Sequence, residues 1–133
     1  IVYSEENFFG SSLWHPPGVE FDNSVLEPTF EHIPLDRIEA VVKFFEEFEK
    51  YHPEDAWYLP FIAVDPSQQR KGIGSFLLKE ALKMIDEKGD RAYLEASNEL
   101  NKALYERHGF VEIGRVQFED SPPAFPMIRE SIK

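Results

Sequence analysis

Residues 64–75 read Val64-Asp65-Pro66-Ser67-Gln68-Gln69-Arg70-Lys71-Gly72-Ile73-Gly74-Ser75. They follow an apolar segment typical of a buried strand, and an amphipathic helix is predicted to begin at Gly72. Glycines permit positive φ angles and let a ligand approach the backbone closely. The free N–H groups at the start of a helix favour an anion. We therefore predict a phosphate or pyrophosphate site on the amides of Gln69–Gly74, with positive charge added by Arg70 and Lys71.

The glycine spacing of this loop differs from that of two common phosphate-binding loops. It lacks the G-x-x-x-x-G-K-[ST] pattern of a Walker A loop. It also lacks the G-x-G-x-x-G pattern of a dinucleotide fold. The alternative is a strand–helix connector whose glycines serve only a tight turn.

Outward from the loop, apolar periodicity predicts the remaining elements. The predicted helices are Asp36–Tyr51, Gly72–Lys88 and Glu99–His108. The predicted strands are Ile1–Tyr3 and Phe8–Trp14, which form a hairpin, then Trp57–Val64, Arg91–Ala96, Phe110–Phe118 and Phe125–Glu130. Residues 18–34 are predicted to be mostly loop. This order predicts one mixed α/β domain over residues 1–133.

Apolar residues at three- and four-residue steps predict the buried faces of the two longer helices. The first helix is expected to bury Ile38, Val41, Val42, Phe45 and Phe48. The second is expected to bury Ile73, Phe76, Leu77, Ala81, Met84 and Ile85. Within the strand that precedes the loop, Pro60 removes a ladder hydrogen bond and predicts a bulge or a splayed edge.

Composition excludes several classes of function. The 133 residues carry a net charge of −11, which disfavours general nucleic-acid binding. No apolar run approaches a membrane span or a signal peptide, so no membrane partner is expected. Cysteine is absent, which excludes disulfides, Cys–zinc sites and a cysteine acyl-enzyme. The four His show no metal-ligand spacing, so no metal is expected. A cytoplasmic location is the expectation.

Two motifs resemble those of a known family and occur in the same order along the chain. Gln69–Gly74 resembles the Q/R-x-x-G-x-G/A signature of the GNAT superfamily of N-acetyltransferases, whose loop binds the pyrophosphate of coenzyme A. Asn98, followed seven residues later by Tyr105 in Leu104-Tyr105-Glu106-Arg107-His108-Gly109-Phe110, resembles its second motif. The resemblance covers roughly residues 1–130. It implies the acyl-CoA N-acyltransferase fold and acetyl-CoA as cosubstrate.

Two further features concern the family's subgroups and its first elements. Leu13–Gly18 and Pro126–Arg129 look like the puromycin-acetyltransferase-like branch, which implies a small-molecule amine as acceptor. The family's domain has a strand and helices before the hairpin that begins at Ile1, so the fold is expected to be N-terminally incomplete. The open sheet edge beside Ile1–Tyr3 would then favour a homodimer.

The resemblance implies a role for Tyr105 as proton donor to the departing thiolate, a role that suits a phenol. The alternative is that Tyr105 only packs. Glu95, on the face opposite Leu94 and Ala96, is the candidate general base, because partial burial would raise its pKa. Tyr58, His52 and an ordered water are the alternatives to Glu95.

The remaining candidate residues would bind the cofactor. Backbone N–H groups in Phe61–Val64 are expected to polarise the thioester carbonyl. Asn98 and Asn101 are expected to hydrogen-bond the cofactor, with helix capping as the alternative. The expected cofactor-binding set is Ile62, Ala63, Val64, Gln69, Arg70, Lys71, Gly72, Ile73, Gly74, Ser75, Asn98, Asn101 and Tyr105.

The resemblance implies an N-acetyltransferase that moves an acetyl group from acetyl-CoA to a primary amine, and the absence of cysteine favours direct attack in a ternary complex. One alternative is a regulatory acyl-CoA-binding module without catalysis. Others are a protein or peptide N-acetyltransferase and a structural interaction protein built on the same fold.

Overall fold

The computed structural model describes residues 1–4, 7, 9–18, 31–69, 71–117 and 122–131, and only the backbone of Phe45. Predictions that concern Phe8, Arg70, Phe118, the side chain of Phe45 and most of the 18–34 loop lie outside the described residues.

The described residues form a mixed sheet flanked by helices. The strands are β1 (Val2–Ser4), β2 (Gly10–His15), β3 (Ala56–Val64), β4 (Arg91–Ala96), β5 (Val111–Glu112) and β6 (Phe125–Arg129). The helices are α1 (Leu35–Glu49), α2 (Ile73–Lys88) and α3 (Glu99–Glu106), and a short 3₁₀ turn spans Pro66–Gln68. The strand order is β1-β2-β3-β4-β6-β5, with β3 and β4 parallel and the other pairs antiparallel. The prediction of a mixed α/β fold is confirmed.

Most predicted elements begin and end within two residues of the observed ones, but the predicted strand Phe110–Phe118 is wrong. Only Val111–Glu112 joins the ladder, and a single bridge between Val116 and Ala124 follows. Gly114 lies between these pairs, and the Tyr51 ring occupies the space that a side chain there would need. A glycine at this position weakens the strand because it has no side chain to pack.

The core lies between α2 and one face of β2, β3, β4 and β6. It contains Trp14, Trp57, Leu59, Leu94, Ala96, Phe110, Phe125 and Met127, together with Leu78, Ala81, Leu82 and Ile85 of α2. The predicted inner face of α2 is wrong at Phe76, which is 50% exposed. Leu78 and Leu82 are buried instead, because the buried stripe follows positions 77, 78, 81, 82 and 85 and Phe76 lies outside it. On α1, Val42 was predicted to be buried and is 49% exposed.

The feature that positions the site is the separation of β3 from β4. The two strands pair only from Ala56↔Arg91 to Tyr58↔Tyr93. Beyond that point, β3 pairs with β2 alone and β4 with β6 alone. The register of β2 against β3 shifts between Leu13 and His15, so Leu59 and Pro60 together face Trp14. Pro60 predicts a bulge or a splayed edge, and the bulge against β2 is confirmed.

None of the helices in the described ranges is long and apolar enough to cross a membrane.

Candidate active site

The loop between β3 and α2 presents an open backbone surface. Gly72 has φ +84° and caps the start of α2. Residues other than glycine rarely adopt this left-handed backbone conformation. A Cβ built at Gly72 would meet none of the described residues within 4 Å. The glycine is therefore required by its backbone angle, and none of the described residues fills the space in front of it. Ahead of it, Asp65 accepts a hydrogen bond from the Ser67 amide at 2.8 Å and fixes the turn.

The Gln69 and Lys71 side chains of the predicted loop site form exposed hydrogen bonds within the loop. Gln69 Nε2 donates to the Val64 carbonyl at 3.4 Å, and Lys71 Nζ donates to Gln68 Oε1 at 3.0 Å. A Cβ at Gly74 would lie 3.7 Å from Leu104 Cδ2. The first turn of α2, which holds Ile73, Gly74 and Ser75, therefore lies close to α3.

The amides of Ile62, Ala63 and Val64 lie along the separated part of β3. On one side these residues pair with Gly10–Ser12 of β2. On the side that faces β4 they have no strand partner. Since antiparallel pairing uses the amides of alternate residues, part of the backbone along this segment is left to hydrogen-bond a molecule that lies in the gap.

Glu95 is the acidic group at this gap. The Tyr58 hydroxyl donates a 2.6 Å hydrogen bond to Glu95 Oε1. Burial raises the pKa of the Glu95 carboxyl above its usual value, and the tyrosine hydroxyls beside it offset part of that increase. Burial, together with the neighbouring Glu95 charge, raises the pKa of Tyr58 above its usual range. Tyr58 is therefore a hydrogen-bond donor at neutral pH, and Glu95 is a stronger base than a surface carboxylate.

Two further rings surround Glu95. The Tyr93 hydroxyl is buried next to the same carboxylate but makes no hydrogen bond of good geometry. The His52 ring stacks on Tyr93, with centroids 4.9 Å apart, and lies 4.5 Å from the Tyr58 ring. The three sequence candidates for the base, Glu95, Tyr58 and His52, thus lie in one cluster. Of these three residues, only Glu95 is a carboxylic acid, and burial raises its pKa.

Tyr105 is buried on α3, with 5% of its surface exposed. Burial raises the pKa of its hydroxyl to about 12. Its ring contacts Phe110 edge-to-face with centroids 6.0 Å apart, and its hydroxyl has no hydrogen-bond partner among the described residues. The phenol is therefore protonated at neutral pH and free to donate.

Glu95 and Tyr105 lie on opposite faces of the sheet. Leu94 and Ala96 belong to the core that contains Tyr105. Since side chains alternate along a strand, Glu95 points to the other face, where Tyr58 and Tyr93 lie. The gap between β3 and β4 connects the two faces. A thioester placed in this gap would have the carboxylate on one side and the phenol on the other.

The Asn98 and Asn101 side chains form hydrogen bonds at the start of α3. Asn98 Oδ1 accepts a hydrogen bond from the Asn101 amide at 2.8 Å and caps the helix, and Asn101 Nδ2 donates to Ser97 Oγ at 3.2 Å. The capping alternative is confirmed for Asn98. A role of either side chain in binding the cofactor stays a prediction.

Sequence reasoning missed Tyr93 and the contact between Ser75 and His108. Ser75 Oγ lies 2.8 Å from His108 Nε2, although the residues are 33 positions apart. The alternation along β4 could have placed Tyr93 beside Glu95, whereas nothing local signals the Ser75 contact.

Among the described residues, no group of three or more His, Asp or Glu side chains could hold a metal ion.

Residues 41–131 match the acetyltransferase (GNAT) domain family. An uncharacterized N-acetyltransferase of Schizosaccharomyces pombe is 31% identical over 126 residues, which cover 84% of this chain and 51% of that protein. A putative phosphinothricin acetyltransferase of Bacillus subtilis, YwnH, is 39% identical over 56 residues, which cover 40% of this chain and 34% of that protein. The chain spans about half the length of the first of these relatives.

Solved structures show the same fold. A histone acetyltransferase HPA2 and related acetyltransferase from Corynebacterium glutamicum has a TM-score of 0.66 at 23% identity, covering 98% of this chain and 62% of that chain. A mosquito arylalkylamine N-acetyltransferase like 5b has a TM-score of 0.60 at 16% identity, covering 92% of this chain and 68% of that chain. With the family match over residues 41–131, the separated strands and the glycine loop, this chain belongs to the GNAT family of acetyltransferases.

Proposed function

We propose that this chain transfers an acetyl group from acetyl-CoA to the primary amine of a small molecule by direct attack in a ternary complex. The observation that carries the proposal is the mostly buried Glu95 carboxylate, held by Tyr58 where β3 and β4 separate. The glycine loop at Gly72 offers free amides for the pyrophosphate. The gap along Ile62–Val64 offers backbone groups for the pantetheine arm and the carbonyl.

Glu95 acts as the base in this proposal. A free alkylamine is protonated at neutral pH and cannot attack a thioester. The bound ammonium group gives one proton to Glu95, whose raised pKa makes the carboxylate a better acceptor. Tyr58 orients the carboxylate through its hydroxyl and does not itself take the proton, because its own pKa is raised.

Tyr105 acts as the acid. The amine nitrogen forms a bond to the acetyl carbon, and the bond from that carbon to sulfur breaks. The electron pair goes to sulfur, which takes a proton from the Tyr105 hydroxyl. The second proton on nitrogen returns to Tyr105 through solvent, and Glu95 releases its proton to solvent. The balanced products are an amide, free coenzyme A and one proton.

The amine-dependent release of coenzyme A tests this proposal. Because the sequence has no cysteine, a thiol-specific reagent reports free coenzyme A without background from the protein. The panel would contain aliphatic and aromatic small amines and a peptide with a free N-terminus and lysines. We expect release with at least one small amine and little with the peptide.

Three other outcomes would contradict the proposal. Turnover with the peptide alone would indicate a peptide N-acetyltransferase. Binding of acetyl-CoA without transfer to any amine would indicate a non-catalytic module. No increase in melting temperature with acetyl-CoA would remove the cofactor assignment, since a ligand that binds the native state must stabilise it.

A further inference from the structure

An apolar row, formed by Val2, Leu13 and Phe61, crosses the face of the sheet that carries Glu95. Val2 of β1 pairs with Leu13 of β2, and Leu13 pairs with Phe61 of β3. Residues directly opposite each other on antiparallel strands place their side chains on the same face. Leu13 precedes Trp14, which belongs to the core, so the row points away from the core. Val2 is 65% exposed and Phe61 is 53% exposed, so the apolar row is open to solvent.

The apolar row ends at the gap between β3 and β4, almost level with Glu95. The last paired position of these parallel strands joins Tyr58 to Tyr93. Phe61 lies three residues beyond Tyr58, and the bulge in β3 takes up one of them. Glu95 lies two residues beyond Tyr93. Phe61 and the Glu95 carboxylate therefore flank the gap at nearly the same height and on the same face of the sheet.

The surface beside the apolar row carries no charge either. A second row on the same face is formed by Ser4, Ser11 and Ala63, which also pair across β1, β2 and β3. Charged residues make up 29% of the chain, yet neither row contains one. An acceptor with several cationic groups would therefore meet no carboxylate on these two rows. An apolar surface that adjoins a few polar groups is typical of a small-molecule site.

We propose that the apolar row binds the tail of the acceptor, so that the substrate is a primary amine with an apolar tail. The inference rests on the proposed acetyl transfer and names the class of its acceptor. When the ammonium group lies at Glu95, the tail leaves the gap across Phe61 and Leu13. Contact with the row removes apolar surface of both partners from water, which stabilises the complex in proportion to the area buried.

The test on the wild-type chain compares propylamine, hexylamine and 6-amino-1-hexanol as acceptors. The release of coenzyme A from acetyl-CoA gives kcat/KM for each amine. A fully buried methylene improves binding about fourfold, so on an open sheet face we expect about twofold for each methylene. Hexylamine should then exceed propylamine by about eightfold in kcat/KM. The terminal hydroxyl of 6-amino-1-hexanol should remove most of this gain, because contact with an apolar surface would strip its water.

Substitutions in the apolar row should weaken this preference. Phe61→Ala and Leu13→Thr should each reduce the ratio of kcat/KM for hexylamine to that for propylamine by about half or more. Because both amines react through the same groups, the ratio cancels a general change in the reaction. Phe76→Ala is the matched control, since Phe76 is 50% exposed on α2 and lies outside the row. It should leave the ratio unchanged.

Several outcomes would overturn the inference while leaving the acetyl transfer standing. They are a ratio near one in the wild-type chain, equal rates with hexylamine and 6-amino-1-hexanol, and turnover confined to polar amines. An unchanged ratio in both row variants would overturn it as well. If sedimentation then showed that these variants convert a dimer to a monomer, the row would bind a second copy of the chain instead. Failure to release coenzyme A with any amine would overturn the proposed function itself.

Discussion

The Tyr58 hydroxyl donates a 2.6 Å hydrogen bond to Glu95 across the last paired position of β3 and β4. Tyr58 pairs with Tyr93, so the donor lies beside the strand that carries the carboxylate just before the two strands part. The contact gives Glu95 a fixed orientation at the mouth of the gap. It also makes the carboxylate sensitive to the loss of one hydroxyl.

Replacing Tyr58 with Phe should shift the pH dependence of the reaction. The hydroxyl stabilises the charged carboxylate and lowers the pKa of Glu95, so its loss should raise that pKa further. The base must be ionised to act, so the acidic limb of kcat/KM should move to higher pH and the rate should recover in alkaline buffer. Tyr3→Phe is the control, and a profile that stays in place would show that Tyr58 only packs.

Glu95→Gln should lower kcat by about 10²–10⁴-fold, the range for loss of a general base. The affinity for acetyl-CoA should change little, because the loop and β3 bind the cofactor in our proposal. Steady-state kinetics with the best amine of the panel, together with calorimetry, separate the two effects. Glu80→Gln removes an exposed carboxylate of α2 and should have no effect. Near-normal turnover in Glu95→Gln would assign the base role to ordered water.

The same substitution should stabilise the protein near neutral pH. The folded state raises the pKa of Glu95, so it binds more protons than the unfolded state at pH values above the ordinary glutamate pKa. Stability contributed by this group is therefore lost as the pH rises through the folded pKa. Gln at position 95 carries no buried charge and can still accept from Tyr58. Thermal melts should show a gain for Glu95→Gln at pH 7 that disappears near pH 4, and a lower melting temperature at pH 7 would contradict the shift.

Tyr105→Phe should act on kcat rather than on binding. The substitution keeps the ring and its contact with Phe110, and the hydroxyl it removes has no hydrogen-bond partner among the described residues. The fold should be retained, and kcat should fall by about 10²–10⁴-fold with little change in acetyl-CoA affinity. The loss should shrink with a thioester whose thiol is more acidic, since that thiolate leaves with less help. A near-normal kcat would leave Tyr105 with a packing role only.

Gly72→Asn separates backbone strain from ligand contact. Asn tolerates the left-handed conformation, so the change should preserve the φ of +84° and cost little stability. Its side chain would enter the space in front of the loop that none of the described residues fills, and we expect at least tenfold weaker binding of coenzyme A. Gly18→Asn is the matched control, because Gly18 has φ +76° and a Cβ there would meet none of the described residues within 4 Å. Unchanged affinity in Gly72→Asn would remove this loop from the pyrophosphate site.

Local pattern predicted much of this molecule. The glycine loop at Gly72, the bulge at Pro60 and the bounds of α2 and β4 follow from residues that are close in sequence. Helix starts, caps and strand breaks depend on the backbone angles and hydrogen bonds of neighbours within a few positions. The wrong predictions at Phe76 and Val42 concern which face a neighbouring element covers, and the strand after Phe110 stops where Gly114 has no side chain to pack. Periodicity alone does not settle that choice.

The environment of the candidate catalytic groups was decided only by the tertiary structure. Tyr58 and Glu95 are 37 positions apart, and Ser75 and His108 are 33 apart. The first pair is set by the parallel register of β3 and β4, and the second by the approach of the turn after α3 to the first turn of α2. The sequence alone determined that position 95 holds a carboxylate and that its side chain points away from Leu94. Its raised pKa needed the fold, because burial depends on side chains brought to it from distant parts of the chain.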